Sequence, residues 1–428
     1  MSEIKTDVKD DVKDDVKVEA KAEAKVEVKA EVKAEAKAES KAEVKTEVKA
    51  DVKAETKSKK TGVREFDLIL FLLVITLSVC GLVMIYSASY VTAGKTTGDG
   101  AFFFKKQLVT FVLSLIIMAV VAIFDYRNYK KYCPQIYFGT LILLLAVFIP
   151  GIGKKVNGAY RWINFIGFRF QPSELAKLGA IIFTADFLSR KRFRKGHFFQ
   201  IIVPLFIMIG FFSGIIVVQR DLSTAIEIIV VSFIMCFLAG LSMKSIFLTA
   251  GTGFFGFFVL IITEDYRFRR MLAFMDPWKD MQDSGYQIIQ SLKAVGNGGF
   301  FGKGLGMAVS KHNYLPEEYT DFIFAVISEE LGFLGGIFIV SLFAFIFYRG
   351  IKIALKCRDD FGRFLAGGII SIITVQAILN IGVVLSVLPT TGVTLPFISY
   401  GGSSLLVSFI MTGILLNISK TEYHLIEE

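Results

Sequence analysis

Ten apolar runs, most of them close to the length of a bilayer crossing, constrain this chain more than any other feature. They lie near 68–89, 107–124, 136–150, 174–189, 199–217, 223–240, 244–263, 322–348, 364–388 and 397–417. About 20 apolar residues in a helix span the roughly 30 Å hydrocarbon core. Backbone N–H and C=O groups find no water there, so each run must satisfy its own hydrogen bonds as a helix. The expected fold is an all-α polytopic membrane protein with ten transmembrane helices. Basic loops set its orientation: Arg127, Lys130 and Lys131 follow the second run, Arg190 to Lys195 the fourth, and Arg349, Lys352, Lys356, Arg358 and Arg363 the eighth. All fall on one side, which is then the cytoplasm, with both termini inside.

Composition agrees. Hydrophobic residues make up 54% of the 428 positions and phenylalanine supplies 42 of them, although a charged N-terminal tail dilutes both. The formal net charge of +9 therefore marks cytoplasmic loops and gives no case for a nucleic-acid partner. Residues 1–63 carry a low-complexity VKAE repeat whose only apolar groups are Ala and Val. Such a segment cannot bury enough surface to fold alone and reads as a disordered or transiently helical cytoplasmic tail. It lacks the form of a cleavable leader. The transmembrane domain is expected over 64–420, with a cytoplasmic C-terminus at 421–428. Cys80, Cys133, Cys236 and Cys357 show no CxxC spacing, so neither a disulfide framework nor a zinc site is expected.

Two outer connections carry the polar chemistry. The seventh-to-eighth connection, 264–321, is large, mixes charges of both signs and contains apolar and aromatic residues throughout, and is expected to form short amphipathic helices on the outer face with Gly turns between them. Its "GNGGFFGKGLG" is not a phosphate loop, because GxxxxGK[ST] between strand and helix is missing. The third-to-fourth connection ends in "RWINFIGFRFQPSELAK". Trp162 there suits an aromatic belt, while Glu174 and Lys177, three apart on one helix face, form either an internal ion pair or a functional pair. Asp221 in "QRDLSTA" suits a helix cap, and Glu227 is an intramembrane carboxylate needing a partner. "LPTTGVTLPFISYGGSSLL" reads as a broken-helix cavity wall.

The acids Glu317, Glu318, Asp321, Glu329 and Glu330 crowd into "LPEEYTDFIFAVISEELG". Outer-loop histidine is limited to His312, so base chemistry falls to carboxylates. Asp321 could equally cap the next helix, with Thr320 available to cap in its place. At this level the residues imply an outward polar cavity for an anionic substrate and leave enzyme and transporter both open.

Together, "NGAYRWI", "QPSELAK", "DPWKDMQDSGYQIIQSLKAVGNGG", "YLPEEYTDFIFAVISEELG" and "LPTTGVTLPFISYGGSSLL" make the chain resemble the SEDS family (shape, elongation, division and sporulation) over about 64–420, closer to its FtsW and SpoVE branch than to RodA. The resemblance implies a peptidoglycan glycosyltransferase that polymerises lipid II on the outer face of the bacterial cytoplasmic membrane, at the division septum. It also implies a class B penicillin-binding protein and divisome proteins as partners. The family's catalytic acid falls on Asp321, and Arg161, Trp162, Gln171, Glu174, Lys177, Glu317 and Ser399 are expected to bind substrate. Arg161 and Lys177 are the expected cations for the leaving diphosphate. A divalent cation, Mg or Mn, could share that work, though no metal-ligand cluster stands out. Lipid II flipping, a scaffold role, and an elongation- or sporulation-specific paralogue are the alternatives. The chain departs from the family at Arg220, where proline is usual after the glutamine, and in its VKAE tail.

Overall fold

A computed structural model describes residues 66–190 apart from 157, 166 and 167; 198–241; 251, 256 and 262; 264–311 apart from 280, 282 and 283; and 315–423. The chain divides into two units, Met1–Val63 and Arg64–Glu428. The repeat tail, most of the seventh expected span, His312 and the last residues of the C-terminus lie outside the described residues.

The second unit is mainly helical. Its described helices are α1 (Leu68–Thr97), α2 (Phe102–Ile123), α3 (Arg127–Lys131), α4 (Cys133–Ala146), α5 (Pro172–Ser189), α6 (Phe198–Val218), α7 (Leu222–Leu238), α8 (Asp265–Met275), α9 (Ser284–Gly298), α10 (Ile323–Lys356), α11 (Asp360–Val384) and α12 (Gly402–Tyr423). Five of them, α1, α2, α10, α11 and α12, are long and apolar enough to cross a membrane, and α4, α6 and α7 contain shorter apolar helices. The protein is thus a multi-pass membrane protein.

One correction concerns the all-α expectation. Residues 153–170 form a three-stranded antiparallel sheet, β1 (Gly153–Val156), β2 (Ala159–Phe165) and β3 (Phe168–Phe170), with Lys154 opposite Trp162 and Ile163 opposite Phe170. The signal was present: Asn157-Gly158 is a strong hairpin dipeptide followed by a segment rich in aromatic and β-branched residues. A search for bilayer-length runs is blind to strands this short.

Helix α5 is the axis of the bundle. Nearly every one of its residues is buried, and it packs on α4, α7 and α11. The lipid-facing helices look different: α1 and α10 keep a broad exposed apolar face with Leu72, Val79, Phe338 and Phe345 on it. One end of the bundle gathers polar ties between distant helices. Arg349 donates from Nε to Asp67 Oδ2 at 3.0 Å, Asp67 N donates to Ser419 Oγ at 3.0 Å, and Lys420 Nζ donates to Ala122 O at 2.9 Å. This is the end that the basic loops assign to the inside. All four cysteines are free, and three are buried.

Candidate active site

The opposite end of the bundle is built around the turn before α10. Its backbone is pinned from two elements, α11 and the segment before α12. Asn380 Nδ2 donates to Asp321 O and to Val393 O, both at 2.7 Å; Ser399 Oγ donates to Thr320 O at 2.6 Å; Tyr400 N donates to Tyr319 O at 2.9 Å. Tyr319 stacks on Phe103 with ring centroids 4.6 Å apart. Glu318 is buried and accepts from Thr92 Oγ1 at 2.6 Å; burial pushes its carboxyl above the usual range, against that hydrogen bond.

Within this rigid frame the Asp321 carboxylate is left open. The first residue before α10 is Phe322, with no side-chain cap, so Asp321 does not cap the helix. Thr320 does not cap it either, because its hydroxyl donates to Glu317 O and, at 2.8 Å, to Glu317 Oε2. Among the described residues no hydrogen bond reaches the Asp321 side chain. Gly392 keeps space beside it, since a Cβ at that position would stand 3.4 Å from Oδ2. Burial is the main force on its proton and repulsion from Glu317 adds to it, while Arg270 and Arg161 oppose them. The balance moves the carboxyl from 3.8 up to about 7. A carboxylate with such a midpoint holds and releases a proton near neutrality, as a general base requires.

The cations come from β2 and α8. Arg161 donates from Nε to Gln219 O at 3.1 Å and from its terminal nitrogen to Arg220 O, gripping the turn between α6 and α7. Arg270 donates to Thr390 O at 3.3 Å and lies over the Tyr266 ring, 5.1 Å from its centroid. Sequence reading passed over Arg270, though the "RFRR" cluster opening the large loop was a signal.

The other expected residues divide into two groups. Gln171 precedes α5 and donates to Ser173 Oγ at 2.9 Å and to Asp221 Oδ2 at 3.0 Å, while Asp221 caps α7 through Thr224 N. Trp162 is half-buried on β2, and Glu317 lies beside Asp321 with a left-handed φ of 56°. Gln171, Trp162 and Glu317 all keep part of their surface exposed. Ser399 is instead a brace, accepting from Leu395 N at 2.8 Å while it donates to Thr320 O. Lys177 is turned inward: it is 2% exposed, 2.9 Å from Glu174 and 3.3 Å from Glu227, and donates to Gln376 Oε1 at 3.0 Å. Its charge is matched inside the bundle, and Glu227 finds its partner there. Gln376 passes the network on to Thr394 and Ser404. Gln376 and Asn380 were missed in the sequence, although two amides four apart in an apolar span share one helix face. Among the described residues no group of three His, Cys, Asp or Glu could hold a metal ion.

Comparison with known proteins supplies the lineage. The profile of the FtsW, RodA and SpoVE family, described as "Cell cycle protein", matches residues 67–424. The "Probable peptidoglycan glycosyltransferase FtsW" of Geobacter sp. (strain M18) is 43% identical over 357 residues, 83% of this chain and 97% of that protein. "Stage V sporulation protein E" of Bacillus subtilis (strain 168) is 43% identical over 354 residues, covering 83% and 97%. Among solved structures, one described as "Structural coordination of polymerization and crosslinking by a peptidoglycan synthase complex" matches with a TM-score of 0.68 at 27% identity, covering 84% of this chain and 98% of that one. The crystal structure of the rod shape determining protein RodA of Thermus thermophilus matches with a TM-score of 0.63 at 25% identity, covering 84% and 98%. A profile match over most of the chain and relatives covered almost end to end place this chain in the FtsW, RodA and SpoVE family.

Proposed function

We propose that this protein is a peptidoglycan glycosyltransferase that polymerises lipid II, with Asp321 as general base. The observation that carries the reading is the open Asp321 carboxylate, poised near neutral pH on a rigid turn with Arg161 and Arg270 beside it. Asp321 takes the proton of the acceptor sugar's 4-hydroxyl, and the oxygen attacks the anomeric carbon of the donor. The bond from that carbon to the lipid diphosphate breaks, and the electron pair leaves with the diphosphate. A single displacement inverts the α-linked donor to a β-1,4 bond. Negative charge grows on the departing phosphate, where preorganised guanidinium groups stabilise it. Arg161 and Arg270 suit that task; Lys177, matched by two carboxylates, serves the frame of the bundle.

The finer picture follows from the same reading. The chain crosses the bacterial cytoplasmic membrane ten times, with both termini inside and Asp321 on the outer face. It works at the division septum beside a class B penicillin-binding protein and divisome proteins, with the FtsW names of its relatives favouring division over sporulation. The decisive experiment is glycan-strand production from lipid II by the purified protein, with and without Asp321→Asn. Loss of product with the fold retained is the expected result. Undiminished product from the variant would remove Asp321 as the base, and transport of lipid II without any product from the wild type would remove the polymerase reading.

A further inference from the structure

Two polar ties measure the thickness of the apolar belt on α1 and α10. Asp67 meets Arg349 at one level, and Ser87 donates to both oxygens of Glu330 at another, at 2.6 and 2.8 Å. Twenty residues separate the ties on α1 and nineteen on α10. At about 1.5 Å per residue the α1 interval is roughly 30 Å, the depth of a hydrocarbon core, and α10, interrupted at Gly332, runs beside it between the same two ties. Exposed tyrosines mark the same two levels, Tyr86 and Tyr90 beside Ser87 and Tyr348 beside Arg349, as an aromatic belt would. Glu330 therefore stands at the outer edge of the bilayer.

The glycine-rich segment 299–311 is fastened at that edge. Helix α10 opens at Gly332, and the segment takes up the hydrogen bonds that the helix gives away. Lys303 N and Gly304 N donate to Glu329 O and Glu330 O at 3.0 Å, and Phe333 N and Leu334 N donate to Gly299 O and Phe300 O at 2.9 and 3.3 Å. Gly302 and Gly332 both have positive φ, and an added Cβ on either would lie 2.2 Å from backbone atoms of the other strand of chain. Side chains complete the fastening. Glu329 accepts from Lys303 Nζ at 2.8 Å and from Val309 N and Ser310 N at 3.1 Å, and Glu330 meets Lys311 Nζ at 3.4 Å. Lys311 thus turns into the protein, while Lys303 is paired with Glu329 and keeps 32% of its side chain exposed. What faces outward is apolar: Phe300, Phe301, Leu305 and Met307, with Phe301 79% exposed. The Phe300 ring lies against Phe333, 5.8 Å between centroids, and so continues the exposed apolar face of α10.

We propose that residues 299–309 are an anchor in the outer leaflet, with Phe300, Phe301, Leu305 and Met307 seated in lipid at the headgroup boundary. The inference rests on the membrane orientation given above and is independent of the catalytic reading. Three things select lipid as the occupant: the level of the segment, its continuity with a lipid-facing helix, and its neutralised charges. Irregular backbone is tolerated at that depth only when its polar groups are satisfied by protein, which is what Glu329, Glu330 and the opened turn of α10 provide.

The test places tryptophan at position 301 or 307 of the full chain in lipid nanodiscs and reads quenching of the added emission over the wild-type Trp162 and Trp278. Phe338→Trp, two turns further along the exposed face of α10, is the deep reference. Phe301→Trp and Met307→Trp should be quenched about twofold more by lipids brominated near the headgroup than by lipids brominated deep in the chain, with Phe338→Trp showing the reverse. Strong quenching by aqueous iodide at both 301 and 307 would overturn the proposal. Protection that appears only after a transpeptidase partner is added would overturn it as well, making the segment a protein-docking face.

Discussion

Asp321 and the Glu329–Glu330 pair lie eight residues apart in one stretch, and the chemistry of their side chains is nearly the same, yet the fold treats them in opposite ways. Glu329 and Glu330 are saturated, each with a lysine and with backbone or hydroxyl donors. Asp321 sits on an equally well-held backbone, but no donor among the described residues reaches its carboxylate. Carboxylates whose lone pairs are filled serve as fasteners, because releasing them would leave buried donors unpaired. A partly exposed carboxylate whose lone pairs are unfilled has room to accept a proton from outside the chain, the role proposed for Asp321.

The largest effect that separates the two roles belongs to Asp321→Asn. It should lower polymerisation by about 10²–10⁴-fold, the usual contribution of a general base, while the fold is kept with a thermal stability no lower than wild type. Glu330→Ala should do the converse. Leaving Lys311 and the Ser87 hydroxyl without their partner at a buried position costs about 3–5 kcal/mol, read as a large fall in Tm together with greater proteolysis within 299–311. If Glu330→Ala kept its stability and lost only activity, the contrast between fastener and base would fail.

Acidity gives a finer test. Activity needs ionised Asp321, so the rate should climb as pH rises through about 7. Stability has the opposite sign. The folded value lies above the unfolded one, so this group's stabilising contribution is complete at acid pH and is lost as pH rises from about 4 to about 7. Asp321→Asn should therefore raise Tm relative to wild type at pH 8 and leave it unchanged at pH 4. Glu317→Gln removes the neighbouring repulsion and should move the acid limb of the rate profile to lower pH; a profile that moves upward would contradict the electrostatic account.

The smallest expected effect lies at Arg220, which holds a left-handed φ of 63°. Glycine adopts that conformation freely, so Arg220→Gly should stabilise the turn by up to about 1 kcal/mol. Proline, the usual family residue there, is locked near −65° and could be accommodated only if the turn changed shape. A clear fall in Tm for Arg220→Gly would show that the arginine side chain contributes more than its backbone strain costs.

Much of the molecule was legible in the sequence by itself. Bilayer-length apolar runs force helices, because the constraint acts on each segment locally: every backbone group must find its partner within the run. The Glu174–Lys177 pairing at three residues and the cap at Asp221 were readable for the same reason, since each depends on neighbours along one helix. The three-stranded sheet was in principle readable from Asn157-Gly158. Which acid is a fastener and which is open was decided only by the tertiary structure. The partners that fill Glu330 include Ser87, 243 positions away, and the ties that hold the Asp321 turn come from Asn380 and Ser399, 59 and 79 positions away. Pattern along the chain tells which residues can take a proton; packing between distant helices determines which one is left free to do so.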